Sequence, residues 1–111
     1  MRILGIDYGD RKIGLALSDP LLLTAQPFQS YRRRRKQDDT QFFQNLVSRY
    51  KIKKIVVGLP VLRDGTPGTR AHKTKKFARW LEKTVNIPVI LWDERFTTKQ
   101  ALEILRNQKA S

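Results

Sequence analysis

The 111 residues contain no cysteine and a single histidine, His72. Without cysteine, the chain can form neither disulfide bonds nor thiolate metal sites. No stretch approaches the roughly 20 consecutive apolar residues of a membrane-spanning helix. The N-terminal apolar run is too short for a signal peptide, and Asp7 interrupts it. We therefore expect a cytoplasmic protein without a membrane partner.

Acidic residues are scarce relative to basic ones. The chain carries 10 Asp and Glu against 23 Lys and Arg, a formal net charge of +13. Such an excess opposes compaction through self-repulsion, and it is typical of proteins that bind a polyanion. Nucleic acid is the favoured partner, whereas an anionic membrane or no specific partner are the alternatives. The length and the 40% hydrophobic content indicate one globular domain over residues 1–111.

The pattern of apolar residues predicts an α/β fold with the element order β-β-β-α-β-α-β-α. Residues 2–8 and 12–18 are strand-like runs joined by the turn GDRK, which is typical of a hairpin. The third extended run contains Pro27, and proline favours an edge strand. Strands that alternate with helices follow, so we expect the later part of the sheet to be parallel.

Capping signals and helical spacing predict three helices. Asp38 with Gln41 matches a capping box for the first helix, and Thr69 is the expected cap of the second. The third helix is predicted to begin at Thr97 or Thr98. The arginine-rich segment before the first helix, residues 32–36, is either a solvated loop or a phosphate contact.

The second predicted helix is strongly basic. Its cations are too numerous for ordinary salt bridges between successive turns, because Glu82 is its only acid. We therefore predict that the helix binds nucleic-acid phosphates, which position a substrate without reading its sequence. The residues assigned to this role are Arg70, Lys73, Lys76 and Arg79. Trp80 and Trp92 are expected to pack in or beside the core rather than to stack on bases.

Three acids follow predicted strands, at positions that bring them to the same edge of the sheet. Asp7 ends the first strand, and Asp93 and Glu94 follow the last. Ligands of open α/β sheets gather outside the carboxyl ends of the strands. Converging carboxylates repel one another unless a cation lies between them, and an oxygen-only ligand set suits Mg²⁺ or Mn²⁺. A metal site beside a basic surface predicts phosphodiester hydrolysis.

Each of these residues has a second interpretation. Asp7 could form a structural ion pair with Arg11, Lys12 or Arg95. Asp93 could cap the following helix, and Arg95 could pair with Glu94 instead of contacting a phosphate. In the nuclease interpretation, Arg11, Lys12 and Arg95 bind phosphates.

Three sequence blocks are similar to the motif blocks of the YqgF/RuvX family. They are GIDYGDRKIGLALSDP, VVGLPVLRDGTPG and VILWDERFTTKQA, in the family order and with family-like spacing, and the resemblance extends from residue 1 to about 107. It implies a ribonuclease H-like fold, a five-stranded mixed sheet with an antiparallel second strand and helices on both faces. It also implies Mg²⁺-dependent cleavage of precursor 16S ribosomal RNA at its 5′ end, or of Holliday junctions.

The resemblance assigns roles residue by residue. Asp7 corresponds to the first acid of the family, and Asp93, Glu94 and Arg95 correspond to its Asp-Glu-Arg triplet, so we expect the three acids to be catalytic metal ligands. The Gly58-Leu59-Pro60 turn would shape a substrate-facing loop that continues to Gly65. Family members continue into a further helix with another aspartate, which this chain is expected to lack.

Two alternative functions are compatible with the same residues. The domain could be a catalytically weak module that only binds ribosomal RNA or branched DNA. The stretch GIDYG also resembles the first phosphate loop of actin-like and hexokinase-like ATPases, but those enzymes enclose their nucleotide between two such domains. Neither the choice between RNA and DNA nor that between monomer and homodimer follows from the sequence.

Overall fold

A computed structural model describes residues 2–18, 25–60 and 68–93. The elements in chain order are β1 (Arg2–Asp7), β2 (Lys12–Ser18), β3 (Ala25–Arg32), α1 (Lys36–Tyr50), β4 (Ile52–Leu59), α2 (Thr69–Val85) and β5 (Val89–Asp93). This order matches the prediction as far as β5. The predicted third helix lies outside the described residues.

The five strands form one mixed sheet in the order β3-β2-β1-β4-β5. Strand β2 pairs antiparallel with both β1 and β3, whereas β1 with β4 and β4 with β5 are parallel. Strand β3 lies at an edge, as Pro27 predicts, since proline has no N–H to donate to a neighbouring strand. The register with β2 shifts between Leu15 and Ala16, beside this proline.

Both described helices pack on the same face of the sheet, so the described residues include no helix on the other face, where the family resemblance also implies one. Leu4 and Ile6 of β1 share a buried cluster with Phe43 of α1 and with Phe77 and Leu81 of α2. The alternation of the strand directs these side chains to one face. Burial of each large apolar side chain stabilises the fold by about 1.5–3 kcal/mol. Neither α1 nor α2, the helices of the described part, is long and apolar enough to cross a membrane.

Strand β4 is buried on both faces. Its residues Ile55, Val56 and Val57 are at most 9% exposed, which confirms the prediction of a central parallel strand from the β-branched run. The central position of β4 brings β1 and β5 to its two sides.

The start of α1 differs from the prediction. The helix begins at Lys36 after Arg35, whose side chain forms no capping hydrogen bond. Asp38 therefore lies inside the first turn, where a negative charge favours the helix dipole, and it is not the cap. In α2, Thr69 is likewise the first helical residue rather than the cap, because Gly68 holds the N-cap position. Propensity and charge patterns locate these helices but do not fix their first residues.

Candidate active site

Asp7 lies at the edge of the sheet where the parallel strands end. It is the last residue of β1, and its side chain is exposed. Ile6 pairs with Val57 of β4, which pairs with Leu91 of β5. Because the three strands run in the same direction, this register places Asp7 level with the residue after Leu91, one position before the end of β5.

Asp93 ends β5 at the same edge, where its backbone is opposite Leu59. One strand separates β1 from β5. Two strand spacings correspond to about 10 Å, so the backbones of Asp7 and Asp93 lie about that far apart. The topology thus brings two of the three predicted acids to one edge. Glu94, Arg95 and Gly65 lie outside the described residues.

The surroundings of Asp7 leave its carboxylate accessible. Gly14, its partner on β2, has no side chain, and a Cβ added there would lie 3.5 Å from the Asp7 Cβ. Arg11 and Lys12 are exposed. Within residues 2–18, 25–60 and 68–93, Asp7 forms no ion pair with either of them. Of the proposed structural partners, only Arg95 is left, and it lies outside these ranges.

The carboxylate of Asp7 is a hard oxygen donor, which is the ligand type that Mg²⁺ and Mn²⁺ prefer. In the part of the chain that the structure describes, no group of three or more His, Cys, Asp or Glu residues could hold a metal. A complete carboxylate ligand set would have to include residues outside that part. The donor chemistry of Asp7 therefore fits a divalent ion.

Two cations of α2 contact the turn that follows Asp7. Arg70 donates through Nη2 to the carbonyl oxygen of Tyr8 at 3.4 Å. The Lys73 Nζ lies 3.8 Å from Asp10 Oδ1, and both side chains are more than half exposed. Lys76 and Arg79, the other cations assigned to phosphate binding, are also exposed on this helix. Gly58 lies near the end of β4, and Pro60 directly follows the strand.

A cavity of about 330 Å³ opens between α2 and the segment that joins β3 to α1. We call it the basic–aromatic groove. Its charged lining consists of Arg33, Arg34, Lys36, Lys73 and Lys76, and of one acid, Asp39. Its aromatic lining consists of Tyr8, Phe77 and Trp80. The groove thus combines cations from two separate segments with aromatic rings.

Arg33 is held in place on one wall of the groove. Its Nη1 donates to the Tyr8 hydroxyl at 2.7 Å, and its Nε lies 3.9 Å from Asp39 Oδ2. The guanidinium lies 5.1 Å from the centroid of the Tyr8 ring and 5.9 Å from that of Phe77, within the range of cation–π attraction. These contacts join the turn after Asp7 to the β3–α1 segment.

Asp39 contacts both Arg33 and Arg34 of the same segment. It is 4% exposed, and its Oδ1 accepts hydrogen bonds from the Tyr31 hydroxyl at 2.7 Å and from the Arg34 backbone N–H at 3.0 Å. Burial, together with the hydrogen bond and charge of Asp39, raises the pKa of Tyr31 to about 12. Asp39 has no predicted role from the sequence. The signal was an acid that closely follows a run of arginines.

Comparison with known proteins places the chain in a family. The family model of RuvX, described as Holliday junction resolvase, matches residues 1–111. A Syntrophus aciditrophicus protein named "Putative pre-16S rRNA nuclease" is 50% identical over 105 residues, which are 95% of this chain and 70% of that protein. A Koribacter versatilis protein of the same name is 44% identical over 110 residues, 99% of this chain and 72% of that protein.

Solved structures are similar in fold. RuvC of T. thermophilus in complex with a Holliday junction substrate has a TM-score of 0.58 and 14% identity, covering 86% of this chain and 66% of that chain. The Fowlpox virus resolvase in complex with Holliday junction DNA has a TM-score of 0.51 and 14% identity, covering 95% and 73%. The chain belongs to the RuvX family, and its mixed five-stranded sheet has the ribonuclease H-like fold.

Proposed function

We propose that this protein is a divalent-metal-dependent endonuclease that hydrolyses phosphodiester bonds in structured nucleic acid, at the 5′ end of precursor 16S ribosomal RNA. The observation that carries the proposal is the exposed carboxylate of Asp7, which lies at the carboxyl edge of the sheet beside a basic helix. The RNA substrate is inferred from the name that relatives at 42–50% identity share.

Asp7, Asp93 and Glu94 are the proposed ligands of Mg²⁺ or Mn²⁺. These residues would hold the ion, and it would supply Lewis-acid polarisation of the scissile phosphate and activation of the attacking water. Asp7 and Asp93 end two strands whose backbones lie on either side of the central strand β4. A rigid sheet therefore sets the geometry, as accurate positioning requires.

The proposed phosphate contacts surround this edge. Arg70 and Lys73 lie against the turn that follows Asp7, so they would hold a backbone beside the carboxylates. The other proposed contacts are Arg11, Lys12, Lys76, Arg79 and Arg95. The segment from Gly58 through Pro60 to Gly65 is the proposed substrate-facing loop. These contacts orient the phosphodiester without selecting a base sequence.

Resolution of Holliday junctions is the second candidate function, because the family description names it. A four-way junction is symmetric, so this activity would favour a homodimer. We favour ribosomal RNA, since the RNA-named relatives share about three times as much identity with this chain as the RuvC and Fowlpox structures do. A catalytically weak binding module is the outcome if the carboxylates do not support hydrolysis.

The test is a cleavage assay with the purified protein. A fragment containing the 5′ end of precursor 16S RNA, a four-way DNA junction and a linear DNA duplex are incubated with and without Mg²⁺ or Mn²⁺. We expect cleavage of the RNA that requires the metal, at a defined site. Cleavage of the junction alone would favour the second candidate. Tight binding to all substrates without cleavage would contradict the endonuclease proposal.

A further inference from the structure

We propose that the basic–aromatic groove binds an unpaired segment of nucleic acid, with a base stacked on Trp80 and phosphates on the cations of both walls. The groove is separate from the proposed metal site. Binding of a strand there does not depend on the proposed function, but the identification of that strand as the substrate does. An unpaired segment beside the scissile bond would then select which structured nucleic acids are cleaved.

The charges of the groove favour an extended polyanion. Lys73 and Lys76 lie on the α2 wall, and Arg34 and Lys36 lie on the opposite wall. Within the described residues, Arg34, Lys36 and Lys76 form no ion pair, so their charges are available to phosphates. Cations on both walls suit a strand that runs along the groove.

The acid in the groove does not cancel this attraction. Asp39 is 4% exposed, and its oxygens face the Tyr31 hydroxyl, the Arg34 N–H and the Arg33 guanidinium. Its charge is therefore turned toward protein donors and away from a bound anion. In addition, Asp39 holds Arg33 and Arg34 on the wall.

The aromatic lining favours unpaired bases. Trp80 is half-buried, and its ring lies 5.8 Å from that of Phe77 and 6.3 Å from that of Phe43, centroid to centroid. Packing thus fixes the indole while part of it remains accessible. Bases in a duplex are already stacked on their neighbours, whereas an unpaired base can stack on an aromatic side chain. A volume of about 330 Å³ is at the lower end of ligand sites, roughly 300–1,000 Å³.

The groove is adjacent to the proposed catalytic edge. Tyr8, which lines the groove, directly follows Asp7 in the sequence. Arg70 and Lys73 of α2 contact the turn that contains Tyr8 and Asp10. A strand that leaves the carboxylates along this turn would enter the groove, so the unpaired segment would flank the bond to be cleaved.

Binding measurements on single-site variants test the groove. Fluorescence anisotropy of a labelled single-stranded RNA and of a duplex of the same sequence is measured without divalent metal, which prevents cleavage. Lys76→Ala is predicted to weaken single-strand binding and to reduce its log–log salt slope by about one. Trp80→Leu is predicted to weaken it by about tenfold, as loss of a base stack does, with a smaller effect on the duplex.

Lys53→Ala is the matched control, because it removes the same charge from an exposed position near the start of β4, at the opposite edge of the sheet. It is predicted to retain more of the single-strand affinity than Lys76→Ala. Trp80 contacts the core, so thermal melting checks that its variant folds. Lys76 is exposed, and its variant therefore tests the groove even if Trp80→Leu is unstable.

Equal single-strand affinities for Lys76→Ala and Lys53→Ala would overturn the inference. Displacement of the labelled RNA by a free mononucleotide, at a concentration similar to that of unlabelled RNA with the same effect, would also overturn it. That result would indicate a small-molecule site. The metal-dependent cleavage assay separates this result from the proposed function. If the wild type cleaves RNA but Lys76→Ala and Lys53→Ala bind single-stranded RNA equally well, the protein is a nuclease that does not use this groove. If Lys76→Ala binds single-stranded RNA more weakly but the wild type does not cleave RNA, the groove binds nucleic acid and the nuclease proposal fails.

Discussion

Tyr31 and Asp39 form a hydrogen-bonded pair that holds the segment leading into α1. The Tyr31 ring is stacked on Phe42 at a centroid distance of 3.8 Å, and its hydroxyl donates to Asp39. Because Asp39 also accepts from the Arg34 backbone, the pair determines the path of the arginine segment. A buried carboxylate whose donors are present stabilises this path, whereas loss of a donor leaves its charge partly unsatisfied.

The raised pKa of Tyr31 predicts a loss of stability at high pH. The pKa increases from 10.0 to about 12 on folding, so the protonated phenol is favoured in the folded state. Its stabilising contribution is complete below pH 10.0 and is lost as the pH rises toward about 12. Urea denaturation on either side of pH 10 measures this loss.

Tyr31→Phe is the control for that titration. It lacks the hydroxyl, so we expect lower stability at neutral pH, where Asp39 loses a donor, and a smaller decrease at high pH. Alkaline effects that do not involve residue 31 are common to both proteins and cancel in the difference. An equal alkaline loss in the two proteins would show that Tyr31 does not contribute.

At the scale of elements, the β1–β2 turn joins the carboxyl edge of the sheet to the groove. It begins after Asp7, and its residues Tyr8 and Asp10 contact cations of α2. The backbone N–H of Arg33 also donates to the carbonyl oxygen of Arg11 at 2.8 Å. The conformation of this turn therefore affects both the acid edge and one wall of the groove.

Gly9 makes this turn possible. A Cβ at Gly9 would lie well within 3.0 Å of the Lys12 carbonyl oxygen, so the backbone would have to shift. We predict that Gly9→Ala lowers the free energy of unfolding by about 1–3 kcal/mol, measured by urea denaturation.

Gly14→Ala is the matched control, because a Cβ there makes only an ordinary 3.5 Å contact with Asp7 Cβ. Since alanine is less flexible than glycine in the unfolded chain, this variant should be as stable as the wild type or more stable. Equal losses at both positions would contradict the steric explanation.

Strands with a clear local sequence pattern could be predicted, whereas the first residue of each helix could not. The run Ile55-Val56-Val57 identifies β4, and Pro27 identifies the edge strand, because burial and proline geometry act locally. Asp38 has the sequence pattern of a cap, yet α1 begins before it. The adjacent Asp39 is instead committed to Tyr31, a contact that exists only after β3 packs against α1.

At the scale of the whole molecule, one part of the candidate site could be predicted from the sequence and the other, the basic–aromatic groove, could not. The edge that carries Asp7 and Asp93 could be predicted, since the rule that parallel strands end at one edge needs only the element order. The groove could not. Its walls come from segments about 40 residues apart, and Trp80, expected only to pack, also lines the groove. The net charge of +13 indicates a polyanion but not where it binds.

Substitution of Asp7 by Asn tests the central claim most directly, with cleavage of the precursor RNA and binding to it measured on the same protein. Asp38→Asn is the matched control, since it makes the same change on a partly exposed side chain of α1 that pairs with Arg35 and has no proposed metal-binding role. We predict that Asp7→Asn cleaves at least about 100-fold more slowly than the wild type and binds RNA with undiminished affinity, while Asp38→Asn cleaves normally. Metal-dependent cleavage by Asp7→Asn at the wild-type rate would contradict the account.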